Sequence, residues 1–342
     1  MHLTLANHGS YPRIGDSAEE QLLRRTIAQR EKGEKTEADL RAAEDHMTEL
    51  ALREQIDAGL DVVTDGLIRW YDPISHLARK LAGVRITGLL RFFDTNFYFR
   101  QPAVHLRIER TKPLVVDEFL FAQRKSSRPV KAVLTGPYTL ARLSIEEASP
   151  TPTNGGSGGG PSGAAAGFNR LLDGYTTALA EEVAALAQAG AALIQVDEPA
   201  LARHPEEFSQ VERSLAALAA RKGQAELILA LYFGDAPPLY EKLQTLPVDI
   251  LSLDFTYSPG LLDRVRSGSA KKLALGLVDG RNTRLEDAGV VAKQLERIAR
   301  GAGLDRAYLS PSCGLEYLPR DRAQLKLKLL ATIKETFLGS NR

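Results

Sequence analysis

The amino-acid sequence predicts an α/β protein of one domain, a (β/α)8 TIM barrel over residues 1–342. Three observations predict this fold class. Eight short apolar segments recur along the chain, and segments with helical periodicity lie between most of them. The length of 342 residues suits one large barrel, because such barrels run to roughly 250 residues or more. No G-x-G-x-x-G turn follows any of the eight segments, which disfavours a doubly wound sheet and predicts no nucleotide cofactor.

Each predicted strand is a continuous apolar run that stops at turn-forming residues, the pattern of strands buried on both faces. Helices are predicted where apolar residues recur every three or four positions, at 37–58, 170–189 and 284–300. The third of these opens at Thr283, and Glu286 three residues later gives the spacing of a capping box. The strand runs lie at 2–9, 60–66, 130–137, 192–199, 226–234, 249–256, 273–280 and 307–314.

Two segments depart from this alternation. Residues 88–109 contain two alternating strand patterns around a turn, which predicts an inserted β-hairpin. Residues 151–167 hold seven glycines in seventeen positions, a composition typical of a flexible loop. The loop would follow the third strand, on the barrel face that carries chemistry, so it is either a lid over the site or an inert insertion.

Composition excludes several classes of protein. A formal net charge of +1 does not suit a general nucleic-acid binder. A single cysteine excludes a disulfide framework and a zinc module made of cysteines alone. The first residues lack the pattern of a signal peptide, and no apolar run approaches the ~18 residues of a membrane span. We therefore expect a cytoplasmic protein with no nucleic-acid or membrane partner.

The last residues of each predicted strand are the candidate site, because chemistry in a barrel is built where the strands end. Polar residues recur at these positions, although turns at the end of a sheet also favour Gly, Asp and Ser for backbone reasons. The positions are His8, Gly9, Ser10, Asp65, Gly66, Thr135, Gly136, Pro137, Asp197, Glu198, Tyr232, Asp254, Asp279 and Cys313.

Asp197 and Glu198 are the strongest acidic candidates, because two carboxylates that close an apolar strand are costly unless each has a partner. Neighbouring residues on a strand point to opposite faces. We therefore expect one carboxylate to bind a ligand cation or act as acid or base. The other is expected to pair with an arginine or to cap the next turn.

Seven motifs occur in this order: GSYPR (9–13), LDVVTDG (60–66), RFFDTNFYF (91–99), PVKAVLTGPYT (129–139), QVDEPAL (195–201), LGLVDGRNT (275–283) and SPSCGL (310–315). Together they resemble the C-terminal catalytic barrel of cobalamin-independent methionine synthase, especially its short single-barrel forms. The resemblance spans essentially the whole chain. The most specific part is the combination of QVDEPAL with a later SCGL.

The resemblance implies transfer of a methyl group to a small thiol such as homocysteine. In the family a zinc ion makes this thiol a thiolate, and a cation helps because a free thiol has a pKa near ~8.5. By resemblance, Asp197 contacts the substrate amino group, and the backbone amides of Gly9 and Ser10 hold its carboxylate. The methyl donor is expected to be a methylfolate or a methyl-corrinoid protein.

The chain departs from the family at the zinc ligands. Ala230 and Tyr232 stand where the family has His and its first Cys, Asp254 stands at the Glu position, and Cys313 keeps the last ligand. Two protein ligands are fewer than the three or four usual for zinc, so a degenerate zinc site is predicted. His8 is the histidine best placed to replace a ligand, and His8 and Tyr232 are expected beside the substrate.

A second departure lies after the second strand, where the family has an acidic residue that also contacts the amino group and this chain has Leu67. Three hypotheses follow. The first is a methionine-synthase-like methyltransferase with an altered or absent metal site. The second is a barrel enzyme of lyase or decarboxylase type in which Asp197, Glu198 and Asp254 act as acid and base. The third is a relative that binds ligands without catalysis.

Overall fold

A computed structural model describes residues 3–147, 161–302, 304 and 306–340. Within these residues the strands, numbered along the chain, are β1 (Leu3–Leu5), β2 (Ala82–Arg91), β3 (Tyr98–Glu109), β4 (Ala132–Thr135), β5 (Ile145–Glu146), β6 (Leu193–Asp197), β7 (Glu226–Leu231), β8 (Ile250–Asp254), β9 (Lys272–Val278) and β10 (Ala307–Pro311). Seven of them form one parallel sheet in the order β1–β10–β9–β8–β7–β6–β4. Strands β2, β3 and β5 form a second, smaller sheet.

A short segment links the two outer strands of the main sheet. Val62 forms a single parallel bridge with Ala6, and Val63 forms one with Val130. Gly66 and Leu67 then turn the chain with positive φ angles of 71° and 51°, which ends the extended conformation. The strand predicted at 60–66 is therefore reduced to two bridge residues, and the barrel-like sheet has seven strands where the sequence predicted eight.

Helices connect successive strands of the main sheet and cover its outer face. The predicted helical segments at 37–58, 170–189 and 284–300 correspond to three of them, within a few residues at most ends. Among the described residues, no helix is long and apolar enough to cross a membrane. The helices are α1 (Leu22–Glu31), α2 (Glu37–Asp57), α3 (Ser75–Ala78), α4 (Val116–Lys125), α5 (Pro137–Leu143), α6 (Pro161–Gln188), α7 (Phe208–Ala219), α8 (Tyr240–Leu243), α9 (Leu261–Val265), α10 (Ala288–Ala302) and α11 (Arg320–Ser340).

Small and branched apolar side chains fill the inside of the curled sheet near the amino ends of its strands. This layer is separate from the large core between the sheet and the helices. A filled interior of this kind leaves the carboxyl ends of the strands as the place for a site. The layer contains Ala6, Val62, Leu193, Ile228, Ile250 and Ala274.

The second sheet contains the predicted hairpin. Strands β2 and β3 pair antiparallel, and β5 joins β3 in parallel. The hairpin begins at Ala82, earlier than the predicted residue 88. Gly83 allows this start, because a Cβ atom there would lie 2.2 Å from the Arg107 carbonyl oxygen. The hairpin tip, residues 92–97, is closed by a hydrogen bond from the Phe92 amide to the Phe97 carbonyl of 2.8 Å.

The glycine-rich loop predicted at 151–167 needs a correction. Residues 151–160 lie outside the described part of the chain, whereas 161–167 form the first turns of α6. The loop boundary was misplaced because the alanine run at 164–166 extends the helix toward the amino terminus.

That residues 1–342 form a single domain stays a prediction.

One buried carboxylate fixes the start of α4. Glu182 lies on α6, and its Oε1 accepts hydrogen bonds from the backbone amides of Leu114, Val115 and Val116 at 2.6–3.1 Å. Its Oε2 accepts a hydrogen bond from Arg110 Nε at 2.6 Å. The first amides of a helix have no partner inside the helix, so this side chain supplies one and joins α4 to α6.

We expect Glu182→Ala to lower the free energy of unfolding by about 3–5 kcal/mol, because it leaves three amides and a largely buried arginine without their acceptor. Glu182→Gln keeps one acceptor oxygen and should cost less. Urea unfolding followed by circular dichroism measures both changes. An alanine variant as stable as the parent protein would show that the carboxylate does not hold α4.

Candidate functional site

Asp197 is the centre of the candidate site. It ends β6 and is 9% exposed. Its Oδ1 accepts a hydrogen bond from Gln195 Nε2 at 2.7 Å, and its Oδ2 accepts one from the Tyr232 hydroxyl at 3.0 Å. Burial raises the pKa of Asp197 to about 6, although both hydrogen bonds and the charge of Lys131 favour the ionised form. The structure thus orients a carboxylate that is ready to meet a cation.

Lys131 supports this carboxylate from inside the sheet. It follows Val130 just before β4, and its ammonium donates hydrogen bonds to the Gln195 side-chain oxygen and, at 2.8 Å, to the His8 carbonyl oxygen. Burial lowers the pKa of Lys131 to about 7, against the attraction of Asp197. A hydrogen-bonded chain therefore runs from Lys131 through Gln195 and Asp197 to Tyr232.

His8 lies next to this chain, two residues beyond the bridge residue Ala6. It is 3% exposed, and its ring contacts the Tyr232 ring edge-on with 5.2 Å between centroids. Its Nε2 atom is buried and has no hydrogen-bond partner among the described residues. Burial, assisted by the positive charge of Lys131, lowers the pKa of His8 well below its usual value. The imidazole is therefore neutral, with one nitrogen free to bind or to accept a proton.

Gly9 and Ser10 continue from His8 along the same wall. The Gly9 carbonyl accepts a hydrogen bond from Asn7 Nδ2 at 3.1 Å, and the Ser10 carbonyl accepts one from the Leu315 amide at 3.1 Å. These bonds fix the backbone where the resemblance places the substrate carboxylate. They also connect the first strand end to the loop that follows β10.

These groups enclose a cavity of about 20 Å³, which is room for about one water molecule. Glu198, Asp254 and Cys313 are not among the described residues that line it. The lining side chains share a position at the carboxyl ends of the strands or in the loops that follow them. They are His8, Ser10, Leu67, Trp70, Pro73, Phe92, Thr135, Asp197, Tyr232, Gly314, Glu316 and Tyr317.

Aromatic side chains cover the cavity. From the hairpin tip, Phe92 packs edge-on against Phe233 at 6.2 Å, and Phe97 packs against Tyr317 at 5.1 Å. Phe233 also contacts Tyr317 at 5.7 Å. The inserted hairpin therefore reaches over the barrel mouth and shields the polar groups below it from solvent.

Trp70 forms part of the cavity wall and is held by a buried charged cluster. Its Nε1 donates a hydrogen bond to Glu118 Oε2 at 3.1 Å, and its ring stacks on His76. Lys80 donates a hydrogen bond to Glu118 Oε1 at 2.6 Å. These positively charged and hydrogen-bonding neighbours overcome burial and lower the pKa of Glu118 to about 2. The indole is thereby locked in one orientation.

Glu198 points away from Asp197, toward α5. Its Oε1 accepts a hydrogen bond from the Tyr138 amide at 3.0 Å, and its Oε2 accepts bonds from the Thr139 amide and hydroxyl at 2.7 and 2.6 Å. Burial nevertheless raises its pKa to about 7. Gly136 leaves room for it, because a Cβ atom there would lie 2.2 Å from Glu198 Cδ. Glu198 thus caps α5, and its predicted catalytic role receives no support from this position.

Asp254 and Cys313 lie outside the cavity. Asp254 Oδ1 accepts hydrogen bonds from the Thr256 amide, the Thr256 hydroxyl and the Tyr257 amide at 2.7–2.9 Å, whereas its buried Oδ2 has no described partner. Cys313 is fully buried. Burial, together with the negative charges of Asp254 and Glu316, raises the pKa of the Cys313 thiol well above its usual value.

The residues present do not fit a zinc site of the family type. Ala230 offers no donor atom, and the Tyr232 hydroxyl donates to Asp197. Among the described residues, no group of three or more His, Cys, Asp and Glu side chains is arranged to hold a metal ion. Zinc in proteins usually has three or four protein ligands.

Sequence reasoning missed Lys131 and Glu316 as residues of this site. Lys131 carried a usable signal, because a lysine within an apolar strand is rare unless it is paired. The sequence gives no such signal for Glu316, because this residue lies in a loop three residues beyond Cys313 and acidic residues are common in loops.

A carboxylate, a neutral histidine and a tyrosine hydroxyl at the carboxyl ends of a curled parallel sheet are typical of an enzyme of the barrel class. Residues 74–303 match the family model described as cobalamin-independent synthase, N-terminal domain. The chain belongs to the cobalamin-independent methionine synthase family and is an enzyme of the methyltransferase class. The family prediction is confirmed, although the model assigns these residues to the N-terminal domain and the motifs were matched to the C-terminal barrel.

Relatives of similar length support this assignment. The methionine synthase of Sulfurisphaera tokodaii is 31% identical, over 93% of this chain and 88% of the relative. That of Saccharolobus solfataricus is 30% identical, over 93% and 90%. In fold, the chain is similar to a B12-independent methionine synthase from a Shewanella species, solved in complex with selenomethionine (TM-score 0.79, 21% identity, 99% of each chain). It is also similar to a Listeria monocytogenes protein described as a putative vitamin-B12-independent methionine synthase (TM-score 0.73, 17% identity, 98% of each chain).

The two adjacent carboxylates give a matched pair of variants. We expect Asp197→Asn to keep the fold and to weaken ligand binding, because the cavity loses the carboxylate that Gln195 and Tyr232 orient. We expect Glu198→Ala to lower the free energy of unfolding by about 1–3 kcal/mol, because the α5 amides lose their acceptor. Urea unfolding and calorimetric titration with L-methionine separate the two effects. Loss of binding in both variants at unchanged stability would contradict this division of roles.

Proposed function

We propose that this enzyme transfers a methyl group to a small thiol such as homocysteine, which binds in the cavity beside Asp197. The observation that carries the proposal is one small cavity that is lined by Asp197, by His8 with its unpartnered Nε2 atom, and by Ser10. The family and its methionine synthase relatives support the same reaction. The relative solved with selenomethionine supports an amino acid of this shape as the ligand.

The cavity groups suit an amino-acid acceptor. The Asp197 carboxylate, oriented by Tyr232 and Gln195, is a partner for an ammonium group, because charge-assisted hydrogen bonds are the stronger kind. The Gly9 and Ser10 backbone suits the substrate carboxylate at the opposite end. Since the cavity holds about one water molecule, the aromatic cover must move before such a ligand enters.

In this proposal residues of the chain activate the thiol, and no zinc ion of the family type takes part. A sulfur electron pair of the thiol forms the bond to the methyl carbon, while the bond between methyl and donor breaks and its electron pair stays on the donor. Because the pKa of His8 is low, His8 Nε2 takes the thiol proton in the same step, when bonding to the methyl carbon has made that proton far more acidic than in the free thiol. A methylfolate or a methyl-corrinoid protein could each supply the methyl group in this step, so the identity of the donor stays a prediction. The cytoplasmic location, the absence of a nucleotide cofactor and the absence of nucleic-acid partners also stay predictions.

The lyase or decarboxylase hypothesis gains no support from the geometry. It required Asp197, Glu198 and Asp254 to act together. Glu198 instead caps α5, and Asp254 accepts hydrogen bonds from the turn at Thr256 and Tyr257. The three carboxylates therefore do not share one cavity.

Methyl transfer to L-homocysteine, followed as methionine formed from either methyl donor, tests the proposal. We expect Asp197→Asn to lower kcat/KM by about 10- to 100-fold, the size of a lost hydrogen bond to a charged group. Cys313→Ala serves as the metal control, measured with the zinc content of protein purified without chelator. We expect little zinc and retained activity. Stoichiometric zinc that disappears together with activity in Cys313→Ala would overturn the metal-free part of the proposal.

A further inference from the structure

Glu316 brings a second carboxyl group into the cavity. It lies in the loop after β10, on the opposite side of the barrel mouth from Asp197, and both side chains line the same space. Its carboxyl group lies near the Tyr317 side chain, whereas its buried Oε2 atom has no hydrogen-bond partner among the described residues. An acceptor oxygen buried in this way costs stability unless a ligand supplies a donor.

The backbone is built to admit this side chain. A Cβ atom at Gly314 would lie 1.9 Å from Ser10 Oγ and 2.2 Å from Glu316 Oε2. Glycine at position 314 is therefore what lets the Glu316 carboxyl group approach the wall formed by Ser10. The backbone of the loop therefore sets the position of the Glu316 carboxyl group beside Ser10.

Two ionised carboxyl groups in one cavity are costly unless a cation lies between them, and burial together with the charge of Asp197 raises the pKa of Glu316 to about 7. Each raises the free energy of ionising the other, and burial removes the water that would screen them. The nearby cation Lys131 already donates to the His8 carbonyl and to Gln195, and it lies behind Asp197. His8, with its free Nε2 atom, adds a third unsatisfied polar group to the same cavity.

The segment that follows the bridge residues Val62 and Val63 adds no charged side chain to this cavity among the described residues. It contributes Leu67, which lines the cavity after the turn at Gly66. A cation that enters the cavity would therefore meet Asp197 on one side and Glu316 on the other.

We propose that Glu316 is a specificity-determining residue that, together with Asp197, binds the α-ammonium group of an amino-acid ligand. The inference rests on the proposed function and adds a second carboxyl group, that of Glu316, to the place where Asp197 would meet the ammonium group. Ammonium offers three donors, which suit the free Glu316 oxygen and the two Asp197 oxygens.

Calorimetric titration with two probes tests the assignment. The probes are L-methionine and 4-(methylsulfanyl)butanoate, which is the same molecule without the amino group. We expect the parent protein to prefer L-methionine by about tenfold or more, as for a hydrogen bond between charged groups. Glu316→Gln is a substitution of equal size. In this variant the ratio of the two affinities should fall by about fivefold or more, because only L-methionine binds more weakly.

Two further variants complete the test. Glu241→Gln removes an exposed carboxylate on α8 and should leave both affinities unchanged. Glu316→Asp keeps the charge and should restore part of the preference, while circular dichroism reports whether each variant is folded. Equal weakening of both probes in Glu316→Gln, an unchanged affinity for L-methionine, or no preference in the parent protein would each overturn the inference. A preference that depends on Glu316 in a protein without methyl transfer would instead uphold the inference and overturn the proposed function.

Discussion

The hydrogen-bonded chain from Lys131 to Tyr232 is the interaction on which the site depends. It joins residues of three neighbouring strand segments inside the sheet and, through the His8 carbonyl, reaches the end of the first strand. A lysine ammonium and an aspartate carboxylate are each costly in such a place, and together they offset much of that cost. The interior of this barrel is therefore polar at one end and filled with small apolar side chains at the other.

The same constraint separates the roles of neighbouring residues. Asp197 faces the interior because β6 ends with that face toward the cavity, and Glu198 consequently faces the helical layer, where the start of α5 offers unpaired amides. One dipeptide thus provides a ligand-facing charge and a structural one.

Much of this could be predicted from the sequence. The alternation of apolar strands and amphipathic helices indicated the barrel-like sheet, the hairpin followed from its two alternating strands, and the motifs around Asp197 and Cys313 indicated the family. The length of the strand at 60–66 was overestimated, because the apolar pattern of this segment does not reveal that Gly66 and Leu67 turn the chain. Glu316 could not be predicted, since its importance comes from a loop that brings it to Ser10, a contact between distant parts of the chain. The role of Cys313 as a metal ligand stays a prediction, because its position in the sequence is that of a ligand whereas Ala230, at another ligand position, offers no donor.

The aromatic cover formed by the hairpin tip has a kinetic consequence. Phe92, Phe97, Phe233 and Tyr317 pack with one another above a space no larger than a water molecule. Association and release of any larger molecule must then wait for these rings to separate, a collective motion on the microsecond-to-millisecond scale. Exchange at this site is governed by how often the protein opens and not by how often a molecule in solution arrives at it.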